Sequence, residues 1–180
     1  MSIEIISNSL ETERLNLKLV DIEDAGFIYD LYNQPRFLQF IGDRKIRSVQ
    51  DAARYIIEKF RPQIESLGYG NYVVIRKEDG TKLGSVGVFT RDGLNVQDIG
   101  FAVLPQFEGF GYFTEAAMKV LEVIHAQFGV SKVSGITALD HYALQNVLQK
   151  LGLKYIKLIR LSGEDEDLMY FEGLVQHCIQ

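Results

Sequence analysis

Cysteine is almost missing from this chain: Cys178 stands alone among 180 residues. A single thiol closes no internal disulfide and makes a cysteine metal cluster improbable. That excludes a disulfide-stapled secreted scaffold and points to a reducing cytoplasm. Proline is scarce, with 3 residues, so the chain has few obvious linkers. No apolar run approaches the ~20 residues that cross a bilayer, so no membrane association is expected. The start, MSIEIISNSLETERL, lacks a basic segment followed by an apolar one, the pattern of a secretory leader. Lys and Arg are scattered singly and the net charge is −5. A nucleic-acid surface needs a basic stripe, so nucleic acid is not an expected partner. Repeats and low-complexity tracts are absent too. What remains is the length of one ordinary domain, residues 1–180.

The chain changes hydrophobic period as it proceeds. Leu15, Leu17 and Leu19 alternate, as in a half-buried strand over 13–20. Asp21, with Asp24 three residues on, starts a helix. Ser48 with Asp51 starts a second, which Pro62 kinks or ends before Gly68 and Gly70. Strand patterns follow at 71–77, 82–89 and 96–104, and the Asp-Gly turns between them predict antiparallel hairpins. Ala117, Val120, Leu121, Ile124 and Phe128 form one stripe of a helix over 112–128, stopped by Gly129. A strand at 130–139 leads to a helix over 141–151, with Asp140 as its expected cap and Gly152 as its stop. Two last strands, 154–161 and 167–175, flank an acidic turn. The order β-α-α-β-β-β-α-β-α-β-β predicts an α/β (α+β) domain around a mixed sheet.

The chemistry concentrates in Gln106-Phe107-Glu108-Gly109-Phe110-Gly111-Tyr112-Phe113-Thr114, between a strand and an amphipathic helix. Gly109 and Gly111 permit φ > 0 and close approach of a ligand to the backbone. Inward amides there, with the unpaired N–H groups of the next helix, form an anion nest suited to a pyrophosphate. No Lys follows Gly111, so this is not a Walker A loop. Thr114 occupies the third position of a dinucleotide fingerprint, and the flanking strands read as antiparallel, which disfavours that motif. The spacing alone fits either a pyrophosphate site or a strand-to-helix turn without a ligand.

LPQFEGFGYFTEAAMKVL resembles the acetyl-coenzyme A signature of the Gcn5-related N-acetyltransferase (GNAT) superfamily, whose core is [RQ]-x-x-G-x-[GA]. Gln106, Gly109 and Gly111 fill it. QDIGFAVLPQ is similar to that family's central strand, and ETERLNLKLVDIEDA to the opening of its RimJ/RimL-type branch. NYVVIRKEDGTKLGSVGVF resembles the next two strands, and NVLQKLGLKYI the late helix and its turn. The resemblance implies a mixed, mostly antiparallel sheet with splayed central parallel strands and about four helices. It implies acetyl-CoA as cosubstrate, with no metal. Its pantetheine arm would pair with Phe101, Ala102 and Val103, and its pyrophosphate would lie on the loop from Gln106 to Gly111 and on Tyr112. Thr114, His141 and Asn146 complete the expected cofactor contacts.

Three positions depart from the family pattern. His141 and Leu144 stand where the branch commonly has Asn and Ser, and Leu148 stands where other branches place a tyrosine acid. The usual proton donor near the departing sulfur is missing.

The implied activity is an acyltransferase that moves acetyl to a primary amine by direct attack. An alkyl ammonium has a pKa of roughly 10.4, so a base or a water relay must first take a proton. Asp98, which shares a strand face with Gly100 and Ala102, is the candidate base; the alternative is a surface carboxylate. The Val103 N–H is the candidate oxyanion donor. His141 is a candidate acid, base or ribose contact, or a solvated helix-start histidine. Tyr142 either donates to the sulfur or packs as an amphipathic side chain, and Glu115 reads as structural. Cys178 lies too near a fraying end to carry an acyl group. The acidic run 162–167 either steers a cationic acceptor or is a solvated hairpin tip. The acceptor is a protein N-terminus or a small amine, in a monomer or homodimer. The alternative is a non-catalytic acyl-CoA-binding module.

Overall fold

A computed structural model describes residues 9–180. The leader expectation rests largely on residues 1–8, which lie outside them. Strands β1 (Ser9–Glu11) and β2 (Leu15–Leu19) open the chain, and Leu15, Leu17 and Leu19 point inward. Asp21 then accepts from the Ile22 amide, while Asp24 accepts from the Asp21 amide at 3.0 Å. This reciprocal cap starts a 3-10 turn that runs into α1 (Ala25–Tyr32). A short α2 (Pro35–Phe40) follows. Ser48 Oγ caps α3 (Val49–Tyr55) by accepting from Asp51 N at 3.0 Å.

Pro62 does not end this helix. A π turn, Ile56–Phe60, carries α3 into α4 (Arg61–Leu67), and the Arg61 N–H reaches back to Ile56 O. The missing N–H of Pro62 falls at the seam between the two ladders, where it interrupts little. Gly68, at φ +88°, stops α4.

The sheet has eight strands in the order β1-β2-β3-β4-β5-β6-β8-β7. The remaining strands are β3 (Asn71–Arg76), β4 (Lys82–Phe89), β5 (Asp98–Val103), β6 (Lys132–Ala138), β7 (Lys154–Ile159) and β8 (Leu168–Leu174). All neighbours are antiparallel except β5 and β6, which are parallel and register only at Asp98 with Ser134. The expected splayed central pair is therefore present. Helices α5 (Tyr112–Phe128), α6 (Tyr142–Lys150) and α7 (Val175–Cys178) complete the chain.

Two cores hold the layers together. One, between the sheet and α5 to α7, buries Ala117, Val120, Leu121, Ile124, Leu148 and Phe171. The other, between the sheet and α1 to α4, buries Ile28, Leu31, Ile56 and Val73 with Ala102. Each fully buried Leu, Ile or Phe contributes about 1.5–3 kcal/mol. Leu148→Ala would cost roughly 2–5 kcal/mol.

The expectation of about four helices is too low. With α3 and α4 taken as one run, the described residues form six helical segments. The extra ones, α2 and α7, are too short to impose a period on the sequence. Asp140 is not the cap of α6: His141 holds that position, and no side chain bonds the helix start. Gln145 Nε2 instead donates to the carbonyls of Ala138 and Leu139 at 3.1 and 3.0 Å, which closes the turn from inside the helix.

Candidate active site

The site begins where β5 and β6 part. Ser134 N donates to Gln97 O at 2.8 Å, and beyond this point the two strands diverge. On the other side of β5, Leu104 N donates to Leu83 O at 3.0 Å. Alternation along an antiparallel ladder turns the backbone of Ala102 to β4 as well, and turns that of Phe101 and Val103 toward the gap. Of the three residues expected to pair with a ligand, Phe101 and Val103 present peptide groups, while Ala102 offers its methyl. A cavity of about 60 Å³ occupies the gap, lined by Leu31, Phe37, Phe101, Ala102, Val103, His141 and Leu144. That is the space of about two waters.

The loop after β5 supplies the second part. Pro105–Phe107 make a 3-10 turn, and Gly109 and Gly111 adopt φ +83° and +79°. No atom lies within 4 Å of a Cβ built on Gly109, so backbone conformation rather than crowding requires glycine there. Gly111 is the N-cap of α5, and no side chain caps that helix. The first-turn amides are left for an anion. Gln106, Glu108, Phe110 and Tyr112 surround this cradle, with Gln106 and Phe110 exposed. Phe107 lies under the Arg76 guanidinium at 5.4 Å.

Arg14, which sequence reasoning missed, locks the loop from β2's side. It donates to Phe110 O at 3.1 Å and to Glu115 Oε2 at 2.7 Å, and it lies over the Tyr112 ring at 4.4 Å. Thr12 Oγ1 also donates to Glu115, at 2.6 Å, so Glu115 has the structural role expected of it. Thr114 lines a different space, a groove of about 580 Å³ along α5 with Met118 and Lys119.

Helix α2 straps the cleft. Arg36 Nη1 donates to Glu108 Oε2 at 2.6 Å, and the Phe40 ring stacks on His141 with centroids 4.1 Å apart. Burial, reinforced by the Arg36 charge, depresses the His141 pKa to about 4. The imidazole is neutral at pH 7 and is no cationic acid. Neither contact was legible, because the partners lie on separate elements.

Asp98 stands at the closed end of the gap. It is 1% exposed, which removes the surface-carboxylate alternative. Arg91 holds it with Nε and Nη2, each 3.1 Å from a carboxylate oxygen. Leu144 lines the cavity, Leu148 is buried under Gly135, Asn146 is exposed on α6, and Tyr142 is 69% exposed. Cys178 is not on a fraying end: it is buried in α7, which packs on α5, and burial raises its thiol pKa.

Residues 14–154 match the sequence model of the acetyltransferase (GNAT) domain. The chain belongs to the GNAT acetyltransferases. This GNAT protein is similar to YoaA, an uncharacterized N-acetyltransferase of Bacillus subtilis (strain 168), at 21% identity over 84% of this chain and 85% of that one. Its fold matches the GNAT-family acetyltransferase from Bacillus anthracis with a TM-score of 0.75 at 17% identity, over 93% of this chain and 99% of that one. It matches the ribosomal-protein-S5-alanine acetyltransferase from Vibrio fischeri with a TM-score of 0.75 at 14% identity, over 93% and 97%. The GNAT chain is thus an acyltransferase of the N-acetyltransferase kind. Among its described residues no helix is long and apolar enough to cross a membrane.

Proposed function

We propose that this enzyme moves an acetyl group from acetyl-CoA to a primary amine by direct attack, in the manner of the RimJ/RimL-type branch. One observation carries the reading. The unpaired peptide edge of Phe101 and Val103 runs directly into two φ-positive glycines and an uncapped helix start. An extended amide-bearing arm that ends in a pyrophosphate fits that continuous surface. The 60 Å³ cavity between α2 and the splay has room for an acetyl group.

Asp98 takes a proton from the acceptor ammonium, directly or through water. The amine nitrogen then attacks the thioester carbonyl carbon, and the oxyanion accepts from the Val103 N–H. Collapse breaks the C–S bond and releases the thiolate, and the second proton that the nitrogen sheds on becoming an amide passes through water to the sulfur. Leu144 and Leu148 offer it no hydroxyl. An ordinary thiol has a pKa of roughly 8.5, so water suffices as the proton source. Positioning supplies most of the rate, because the thioester is already activated.

The strapped cleft favours a small amine over a protein N-terminus. Free-thiol release from acetyl-CoA across a panel of amines and peptides tests the function. Amine-dependent release matched by N-acetyl product is expected. Coenzyme binding with no release by any amine would make the chain an acyl-CoA-binding module instead.

A further inference from the structure

One edge of the sheet is left over by this mechanism. Strand β7 pairs with β8 on one side, and among the described residues its other side pairs with nothing. A free edge offers its row of unpaired N–H and C=O groups to another strand. This one also shows apolar side chains to water: Tyr155, Ile156 and Leu158 are 48%, 52% and 48% exposed.

A bulge gathers these side chains. Tyr155 registers with Phe171 and Lys157 with Tyr170, so Ile156 is the extra residue. Regular alternation would put Tyr155 and Leu158 on opposite faces. The bulge puts both on the face of Phe171 and Met169, where the Tyr155 ring meets Phe171 edge-on at 5.9 Å. Lys154 and Lys157 register with Glu172 and Tyr170 on the other face. The edge therefore has one uncharged apolar face and one cationic face.

Charge is complementary along the same edge. Lys154, at the start of β7, makes no ion pair among the described residues. At the other end, in the turn to β8, Arg160 holds Asp167 at 2.8 Å. Glu164, Asp165 and Glu166 in that turn are exposed and make no ion pair among the described residues. Antiparallel pairing of two identical strands sets the start of each beside the end of the other. A second copy would bring its Lys154 to this acidic turn and receive the same contact in return. Setting Tyr155 opposite Leu158 of the second copy sets Lys154 opposite Ile159, and no lysine meets a lysine. A slip of one residue would set Lys157 against itself, which is unfavourable.

We propose that a second copy of this chain docks on β7, antiparallel and about a two-fold axis, so that the two sheets run on as one. The acidic turn then binds the other copy rather than a substrate. The proposal depends on neither the coenzyme placement nor the choice of base.

Sedimentation velocity of the full chain over a concentration series tests it, with the wild type and with Leu158→Glu. Leu158 is exposed, so the variant should fold, which circular dichroism checks. The wild type should pass from monomer to dimer. Leu158→Glu would bury two carboxylates at the seam and should raise the midpoint concentration by about tenfold or more. Lys154→Glu should also weaken the dimer, and adding Glu164→Lys, Asp165→Lys and Glu166→Lys to the same chain should restore it. Amide exchange should slow across 154–159 as the dimer forms. A wild type that stays monomeric up to its solubility limit overturns the proposal. So does a midpoint that Leu158→Glu or Lys154→Glu leaves unmoved, a defect that the second reversal does not mend, or protection that spares 154–159.

Discussion

Arg36 Nη1 lies 2.6 Å from Glu108 Oε2, joining residues 72 apart in sequence across the mouth of the cleft. The Glu108 side chain is thus held beside the backbone of the loop, 106–111, that is proposed to take a pyrophosphate. Its carboxylate repels that group, and its grip on Arg36 keeps a cation from it. Glu108→Gln relieves both at once while leaving the backbone amide in place. Two charges about 4 Å apart interact by about 1 kcal/mol in water, so coenzyme A should bind on the order of fivefold tighter. The gain should shrink in high salt, and stability should move by less than about 1 kcal/mol. Calorimetry at two salt concentrations checks this; unchanged or weaker binding would contradict it.

The Phe40–His141 stack should make stability depend on pH. Burial lowers the folded-state pKa of His141 to about 4, against roughly 6.5 when unfolded. Between these values the unfolded chain binds more protons, so protonation favours unfolding. The stabilisation is complete above about pH 6.5 and is lost as pH falls toward 4. His141→Phe keeps a ring against Phe40 and removes the titration. Urea unfolding at several pH values should give a shallower loss for the variant; parallel curves would show that His141 does not titrate in this window.

Asp98→Asn separates base from scaffold. The amide keeps shape and a hydrogen-bond acceptor for Arg91 but loses basicity. A fall in kcat of about a hundredfold or more is expected at pH 7, the usual scale for a lost general base. The deficit should narrow at higher pH as free amine accumulates, while coenzyme affinity holds. Wild-type kcat at pH 7 would leave Asp98 a strand carboxylate paired with Arg91.

Much of this site is legible because it is local. Gly111 and Gly129 bracket α5 at φ +79° and +68°, and both ends were readable from glycine next to a strong apolar stripe. The β-strands alternate over spans long enough to read. The strap is not legible, because α2 has one buried residue and its contacts are made across the fold by Arg36 and Phe40. Of the two outcomes open at Pro62, the end does not occur: a π turn just before it interrupts the ladder and carries α3 into α4. The burial of Asp98 also escapes sequence, since only the fold brings Arg91 onto it.

Amide hydrogen exchange with and without coenzyme A tests the central claim most directly, because two cavities compete for the ligand. Protection of Phe101, Val103 and the amides of 109–114 is expected, with little change along the groove side of α5 beyond its first turn. Protection centred instead on Met118, Lys119 and Glu122, which line the larger 580 Å³ groove, would contradict the placement of the coenzyme in the splay of β5 and β6.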